Sequence, residues 1–251
     1  MLVFAPKKPS FCWRWLQACL DWIYPPRCPV CRRFMDVHGQ WCPDCGPEAG
    51  PLRTLPLTGR RLEVLNAGYY LFAYEGTVRS LLRRLKFQSQ RGAAAPLRWL
   101  LIQRVHWQEM PRYDLVVPVP LHPERLAERG FNQTELLFRP WADASGFCWQ
   151  ECLSRSRATQ PQWQLSLEQR RQNIKDAFCL TRPGGTKAVE SKHILLVDDI
   201  FTTGLTMDQC AAVLKQAGAA SVTGLAFASG AENITFRLSL PDSRDSQHLS
   251  T

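Results

Sequence analysis

The stretch that decides the fold is Ile194-Leu195-Leu196-Val197-Asp198-Asp199-Ile200-Phe201-Thr202-Thr203-Gly204-Leu205-Thr206. Its four apolar residues predict a strand of a parallel sheet, because such strands are covered on both faces. Two adjacent acids follow at the carboxyl end of this strand, where open α/β sheets bind their ligands. A Thr-Thr-Gly-x-Thr turn then opens a helix. The sequence therefore predicts a strand–turn–helix unit that borders a ligand site.

The polar groups of this unit suit a sugar phosphate. Backbone N–H groups at a helix start attract anions, threonine hydroxyls add donors, and a glycine lets the backbone approach closely. Paired carboxylates accept hydrogen bonds from the hydroxyls of a diol. We therefore expect a ribose 5-phosphate ligand, and a chance strand–turn–helix with exposed acids is the weaker interpretation. The candidate binding residues are Asp198, Asp199, Thr202, Thr203, Gly204 and Thr206.

The surrounding sequence predicts the rest of an α/β domain over residues 69–228. Apolar runs and helical periodicity alternate along it, which is typical of a parallel sheet flanked by helices. Strands are predicted at 69–74, 114–120, 177–181, 193–197 and 221–227, and helices at 77–87, 93–106, 131–145 and 206–217. The polar, Arg-rich residues 154–175 predict a mobile loop followed by a short helix. The chain contains no GxxxxGK[ST] loop, which excludes a Walker-type phosphate site.

Four of the ten cysteines form two CxxC pairs, Cys28-Pro-Val-Cys31 and Cys42-Pro-Asp-Cys45. Two such turns can present four thiolates to one ion, and a tetrahedral thiolate shell suits Zn²⁺. Because four thiolates leave no open position, we expect a structural zinc module over residues 27–46. A redox CxxC pair is the weaker alternative, since it would need only one motif. His38 is interpreted as a loop histidine rather than a further ligand.

The remaining segments are predicted from composition. Residues 1–26 predict an N-terminal helix that packs on the rest of the protein. A helix that lies on a membrane surface is the less favoured alternative. Residues 47–68 predict a linker, and residues 229–251 a disordered tail. No run of 18 apolar residues occurs, so no transmembrane segment is expected. We expect a cytoplasmic protein with reduced thiols.

The charge is uneven along the chain. Lys and Arg number 31 against 22 Asp and Glu, a net charge of +9, and residues 1–190 alone carry a net +11. This excess indicates a polyanionic partner or simply a surface rich in arginine. The predicted basic cluster is Arg79, Arg83, Arg84, Lys86 and Arg91. We expect this cluster to bind nucleic acid weakly. The alternatives are that its side chains form a solvated helix face or that they lie beside the ligand's pyrophosphate.

The strand, acid pair and TTG turn closely resemble the phosphoribosyl-pyrophosphate (PRPP) motif of type I phosphoribosyltransferases. The resemblance implies that the acids hold the ribose hydroxyls, that the turn holds the 5-phosphate, and that Mg²⁺ accompanies PRPP. Upstream, Val116–Pro120 precedes Arg129-Gly130-Phe131-Asn132-Gln133, similar to the pyrophosphate region of that family. Arg129 would then contact pyrophosphate, with Arg125 as the alternative. The implied catalytic residues are Asp198, Asp199 and Arg129.

Further motifs together resemble the ComF family, including its DNA utilisation members. Besides the cysteine module, they are Leu85-Lys86-Phe87, Val119-Pro120-Leu121, Arg129-Gly130-Phe131-Asn132-Gln133, Arg157-Ala158-Thr159-Gln160, and Arg171-Gln172-Asn173 before Ala177-Phe178. The resemblance implies a phosphoribosyltransferase-like protein of DNA uptake or of the use of external DNA as a nutrient. Its implied partners are PRPP, single-stranded DNA and DNA-uptake proteins. The acceptor is not identifiable, so an inactive transferase fold that serves as a nucleic-acid-binding module remains the alternative.

Overall fold

A computed structural model describes residues 21–46, 52–55, 57, 62, 64–105, 112–155, 177–181 and 185–230. Most of the predicted N-terminal helix lies outside these residues, although residues 21–23 are described and helical. The predicted tail beyond residue 230 and the Arg-rich segment beyond residue 155 also lie outside them, together with the Arg157 and Arg171 motifs.

The elements that the described residues form alternate as the sequence predicts. In chain order they are β1 (Arg53–Thr54), β2 (Ala67–Ala73), α1 (Gly76–Phe87), α2 (Ala94–Arg104), β3 (Leu115–Pro118), α3 (Pro123–Arg129), α4 (Gln133–Ala144), β4 (Leu153–Arg155), β5 (Phe178–Leu180), α5 (Gly185–Val189), β6 (His193–Phe201), α6 (Leu205–Gln216) and β7 (Ser221–Ser229). None of these helices is long and apolar enough to cross a membrane.

The central sheet has the strand order β1-β2-β7-β6-β3. Strands β2, β7, β6 and β3 run parallel, and only the edge strand β1 is antiparallel to its neighbour. The register pairs Val117 of β3 with Leu196 of β6, and Leu196 with Gly224 of β7. The predicted α/β class, a parallel sheet flanked by helices behind an N-terminal four-cysteine module, is therefore confirmed.

Helices cover both faces of this sheet, which explains the apolar runs in its inner strands. Leu195 and Val197 of β6 point to the face covered by α1, α2 and α4. Ile194 and Leu196 point to the opposite face, where α6 packs. Alternate residues of one strand thus enter two separate hydrophobic layers. Strand β6 is fixed at the centre of the molecule, and its carboxyl end is fixed with it.

Helix α1 forms because its apolar residues recur at helical spacing. Val78, Leu81, Leu82 and Leu85 are all buried in the layer above the sheet, as the sequence predicts. The helix ends after Phe87, which is 71% exposed. Its last turn therefore emerges beside the carboxyl ends of the strands.

Two elements near the site were not predicted. Helix α3 occupies residues for which the sequence predicts no element. It buries none of its residues, so it lacks the apolar stripe that marks a helix in a sequence. It begins at Pro123, where the N–H of Glu124 donates to Nδ1 of His122 at 3.3 Å, and it ends at Gly130 with φ of 74°. Strand β4 was not predicted because its sequence, Leu153-Ser154-Arg155, has a single apolar residue and no strand pattern. It pairs antiparallel with β5 in a separate small sheet that packs against α6.

The four-cysteine module packs directly against the α/β domain. Trp41 is 3% exposed within the layer that contains α1 and α2, and its indole N–H donates to the carbonyl of Pro96 at 3.0 Å. Gly39 has φ of 86°, and a Cβ there would lie 2.6 Å from the backbone carbon of Ala95. Only glycine fits both the conformation and this close approach. The module is therefore part of the folded unit.

The range predicted as a linker, 47–68, also contributes to the fold where it is described. Arg53–Thr54 form the edge strand β1, and Leu55, Leu62 and Leu65 are buried in the layer below the sheet. Their irregular spacing follows neither the helical nor the strand period, so the pattern predicts no element here. The proposed domain boundaries remain a prediction.

Candidate functional site

A cavity of about 800 Å³ opens at the carboxyl ends of β3 and β6. It contains every residue that the sequence predicted for ligand binding. The predicted residues in its wall are Arg129, Asp198, Asp199, Thr202, Thr203, Gly204 and Thr206, and the wall also includes Lys86, Arg125, Gln133 and Arg155. The structure thus brings together residues that are up to 120 positions apart in the chain. Their roles in binding remain a prediction.

The acid pair lies within β6, which continues past the four apolar residues to Phe201. The N–H of Asp199 donates to Oδ1 of Asp198 at 2.8 Å, and the N–H of Ile200 donates to Oδ1 of Asp199 at 2.9 Å. The hydroxyl of Thr134, at the start of α4, donates to Oδ1 of Asp198 at 3.3 Å. These bonds hold both carboxylates at the floor of the cavity.

The Asp199 carboxylate is close enough to affect the ionisation of Asp198. Desolvation raises the pKa of Asp198 well above its ordinary value, the negative charge of Asp199 raises it further, and the Lys86 ammonium opposes both effects. A carboxylic acid that resists ionisation beside an ionised one can donate a hydrogen bond as well as accept one. The pair can therefore bind hydroxyls through both kinds of hydrogen bond.

Lys86 supplies the positive charge nearest to these acids. Its Nζ lies 3.3 Å from Oδ2 and 3.5 Å from Oδ1 of Asp199, whose side chain is only 3% exposed. The sequence analysis placed Lys86 in a basic cluster that we expect to bind nucleic acid, and this role stays a prediction for Lys86. Its position in the last turn of α1 carries the side chain across the strand ends into the cavity. The alternative that placed it beside the ligand site agrees with this position.

The other basic residues of that cluster remain outside the cavity. Arg79, Arg83 and Arg84 are exposed on α1. Arg84 donates to Oε1 of Gln90 at 2.8 Å. Arg91 donates to the carbonyl of Gly130 at 2.6 Å and lies 5.1 Å from the ring centre of Phe131. Arg91 therefore holds the junction that directly follows Arg129.

The turn after β6 needs glycine at one position. Gly204 has φ of 83°, and a Cβ there would meet Leu62 and approach the ring of Phe201 to 2.6 Å. Gly204 is also the N-cap of α6, and it has no side chain with which to cap the helix. Thr202 is exposed, and Thr203 and Thr206 are half-buried. The turn thus presents a helix N-terminus and threonine side chains at the cavity wall, an arrangement that favours an anion.

The Arg129–Gln133 motif forms the junction between α3 and α4. Gly130 ends α3, and Oδ1 of Asn132 caps α4 by accepting the N–H of Thr134 at 3.0 Å. The Asn132 amide also donates to the carbonyl of Val119 at 3.3 Å. Arg129 donates to the side-chain oxygen of Gln133. The motif therefore fixes one arginine at a helix junction on the cavity wall.

Arg129 is the better placed of the two candidate arginines. Arg125 is exposed and pairs with Glu128 at 3.0 Å on the same helix. Burial lowers the pKa of the Arg129 guanidinium from its very high ordinary value, while the charge of Asp199 acts in the opposite direction. Arg129 keeps its positive charge at any physiological pH. It can therefore offer a fork of donors to a phosphate.

Arg155 is a cavity residue that the sequence indicated only as part of an Arg-rich segment. It ends β4 and lies 5.5 Å from the ring centre of Phe178. Burial is the main cause that lowers the pKa of its guanidinium, and the nearby Asp198 carboxylate opposes this effect. The pairing of β4 with β5 positions Arg155 at the site. Because the sequence did not predict this pairing, it could not show which arginine of the segment lines the cavity.

The four cysteines of the N-terminal module form one cluster. All the Sγ atoms of Cys28, Cys31, Cys42 and Cys45 lie within 4.8 Å of one another. Tetrahedral zinc with Zn–S bonds of about 2.3 Å separates its sulfurs by about 3.8 Å, so the cluster fits one zinc ion with little adjustment. Among the described residues His38 is not a member of this cluster, and its Nε2 instead lies 2.9 Å from Oδ1 of Asp21.

Comparison with known families matches residues 19–56 to the double zinc ribbon domain. This match and the thiolate cluster support the predicted structural zinc. The matched range continues from the cysteines into β1, in agreement with the close packing of the module on the sheet.

Curated relatives cover most of the chain. DNA utilization protein YhgH of Salmonella typhi is 36% identical over 224 residues, 85% of this chain and 94% of that protein. Competence protein ComFC of Bacillus subtilis is 28% identical over 78% of this chain and 75% of that protein. Among solved structures, a glutamine PRPP amidotransferase from B. subtilis is 21% identical with a TM-score of 0.33, over 52% of this chain and 25% of that chain.

The zinc module is expected to hold one Zn²⁺ per chain. Cys28→Ser and Cys42→Ser should lose the metal and unfold at lower temperature, because these two thiols are buried and metal binding is coupled to folding. Elemental analysis and thermal unfolding measure the two effects, with the exposed Cys148→Ser as the control. A folded, reduced wild-type sample without zinc would contradict the assignment.

The raised pKa of Asp198 predicts a pH-dependent cost to stability. A carboxyl group whose pKa is higher in the folded protein than in the unfolded chain lowers stability with rising pH. This loss begins near the pKa of the unfolded chain and ends near the pKa of the folded protein. Asp198→Asn keeps Oδ1 as an acceptor for Thr134 and Asp199. It should therefore unfold at a higher temperature than the wild type at neutral pH, with the difference shrinking towards pH 4. Thermal unfolding across this range checks the prediction, and a constant difference would contradict it.

Proposed function

Because the chain belongs to the ComF family of DNA utilisation and competence proteins, we propose that its cavity binds PRPP or a related ribose 5-phosphate. One observation carries this proposal. The Asp198–Asp199 pair and the 202–206 turn border a single cavity, with the cations Lys86 and Arg129 in the same wall. A ligand that combines a diol with two separate phosphate groups would find a complementary group for each part.

The proposed roles follow from the chemistry of each group. The carboxyl groups of Asp198 and Asp199 hold the ribose hydroxyls through hydrogen bonds. The 202–206 turn holds the 5-phosphate with backbone N–H groups and threonine hydroxyls. Lys86, which lies 3.3 Å from Asp199, and Arg129 in the same wall neutralise the pyrophosphate. Arg155 adds a further positive charge on the same wall.

The reaction that this arrangement supports is phosphoribosyl transfer. The bond between C1 of the ribose and the pyrophosphate oxygen breaks, an acceptor forms a new bond to C1, and pyrophosphate leaves with both electrons. Cations that stabilise the leaving group and carboxylates that fix the sugar lower the barrier to this step. Mg²⁺ would supply further charge neutralisation at the pyrophosphate. The acceptor stays open in this proposal.

The biological setting is proposed from the relatives. Their names assign them to DNA utilisation and to competence, so we infer that this chain acts in the uptake of DNA or its use as a nutrient. Proteins of DNA uptake are the partners that this setting implies. The cytoplasmic location expected from reduced thiols belongs to the same proposal.

Removal of both acids should weaken PRPP binding while the fold persists. We expect Asp198→Asn/Asp199→Asn to bind PRPP at least about tenfold more weakly, a loss of roughly 1.4 kcal/mol or more. Calorimetric titration with PRPP and Mg²⁺ measures this change. Asp143→Asn, an exposed acid of α4 that does not line the cavity, is the matched control. Equal affinity in the wild type and the double variant would refute the placement.

A nucleic-acid-binding role is the second candidate, and the outer face of α1 favours it. This helix contains no acidic residue, and Arg79, Arg83 and Arg84 are exposed on it. A transferase fold without activity could use this face to bind single-stranded DNA, since positive charge close to a strand attracts its phosphates.

Binding of DNA to this face should depend strongly on salt. For a single strand, the slope of log affinity against log salt is about −0.7 per phosphate contact. Arg79→Glu/Arg83→Glu should therefore flatten the slope while PRPP binding stays unchanged. Lys86 is left intact in this variant because it belongs to the cavity. Fluorescence titrations of single-stranded DNA at several salt concentrations test this role. If no binding occurs at low salt, this chain does not bind DNA itself, and a partner protein must make the contact.

A further inference from the structure

The ion pair between Lys86 and Asp199 joins helix α1 to strand β6 at the cavity. Asp199 belongs to the central strand β6, and Lys86 belongs to the last turn of α1. The Asp199 side chain is 3% exposed and the Lys86 side chain 29%. A carboxylate so deeply buried needs a countercharge, because removal of one partner of a buried pair costs several kcal/mol. Without a ligand, Lys86 provides that countercharge.

The remaining bonds of Asp199 leave one oxygen available to a ligand. Oδ1 accepts the N–H of Ile200 at 2.9 Å, whereas Oδ2 is buried and has no hydrogen bond of good geometry. Its nearest described partner is the Lys86 ammonium, at 3.3 Å. Oδ2 is therefore the atom that can accept a ligand hydroxyl once the Lys86 ammonium moves aside, and such a ligand would meet Lys86 at the same point.

The position of Lys86 also restricts which anionic group it can reach. Consider a ribose ring whose C2 and C3 hydroxyls contact the Asp198–Asp199 pair. The anionic substituent nearest to this pair, and so to Lys86, is then the one on C1, because C1 is bonded to C2. The 5-phosphate lies on the opposite side of the ring, towards the 202–206 turn. Lys86 is thus placed for an anion on C1. Arg129 lies in the same cavity wall.

We propose that Lys86 is the residue that makes the site selective for ribose carrying an anionic group on C1. This inference rests on the proposed function. In the unliganded protein Lys86 neutralises Asp199. When the ligand binds, the ammonium turns to the pyrophosphate on C1, and Oδ2 of Asp199 accepts the ribose hydroxyl in exchange. Ribose 5-phosphate has only a hydroxyl on C1, so it must separate the ion pair without offering Lys86 a new partner.

The exchange predicts a change in selectivity as well as in affinity. Lys86→Gln keeps a hydrogen-bond donor for Asp199 but removes the charge. In this variant PRPP should bind at least about tenfold more weakly, whereas ribose 5-phosphate should bind as well as before or better. The ratio of the two dissociation constants should therefore fall by about tenfold or more. Lys86→Arg keeps the charge and should recover most of the ratio.

Calorimetric titrations of the full chain with PRPP and with ribose 5-phosphate, both with Mg²⁺, test this inference. Arg83→Gln, one turn earlier on α1 and exposed, is the matched control and should keep the wild-type ratio. An unchanged ratio in Lys86→Gln, with PRPP bound by the wild type, overturns the role of Lys86 and leaves the proposed function intact. If the wild type binds neither ligand, the proposed function fails and this inference fails with it. A parallel loss of both ligands in Lys86→Gln would indicate a merely structural ion pair.

Discussion

Buried charge at the carboxyl end of β6 is the constraint on which the arrangement of the site depends. The hydrophobic layers on both faces of the sheet fix this strand, and they also remove water from the two carboxyl groups at its end. Desolvation of a carboxylate costs several kcal/mol, so the surrounding elements must supply a cation and hydrogen-bond donors. Lys86 from α1 and Thr134 from α4 meet this need. Both helices are therefore held close to the strand end by charge as well as by apolar packing.

The same constraint explains why the cavity wall comes from distant parts of the chain. Parallel strands bring all their carboxyl ends to one edge, and each of the following segments must start there. The Arg129–Gln133 junction lies after β3, and the 202–206 turn lies after β6. Arg91, which follows α1, holds the carbonyl of Gly130 and so ties a third segment to this edge. The zinc module lies away from the cavity, and its contact through Trp41 supports the layer beneath α1 and α2.

The sequence predicted the elements whose apolar pattern is strong and missed those without one. The run Ile194–Val197 and the stripe of α1 gave correct element types, because burial on both faces or on one stripe dictates the residue pattern. Helix α3 has no buried residue, so only its Pro123 and Gly130 could have marked it. The acid pair and the turn were identified by residue type. The position of Lys86 depends on how close the end of α1 lies to the end of β6. Tertiary packing determines this distance, so the local sequence cannot predict it.

Helix α1 contributes residues to both candidate functions, phosphoribosyl binding and DNA binding. Its buried face packs on the sheet, its last turn sends Lys86 into the cavity, and its remaining surface carries exposed arginines. Phe87, directly after Lys86, is 71% exposed and lines the mouth of the cavity. A strand of DNA on the outer face would therefore run past this aromatic ring, on which a base can stack. Because the three surfaces use different residues of one helix, phosphoribosyl binding and DNA binding can coexist in one protein, and each can be altered without the other.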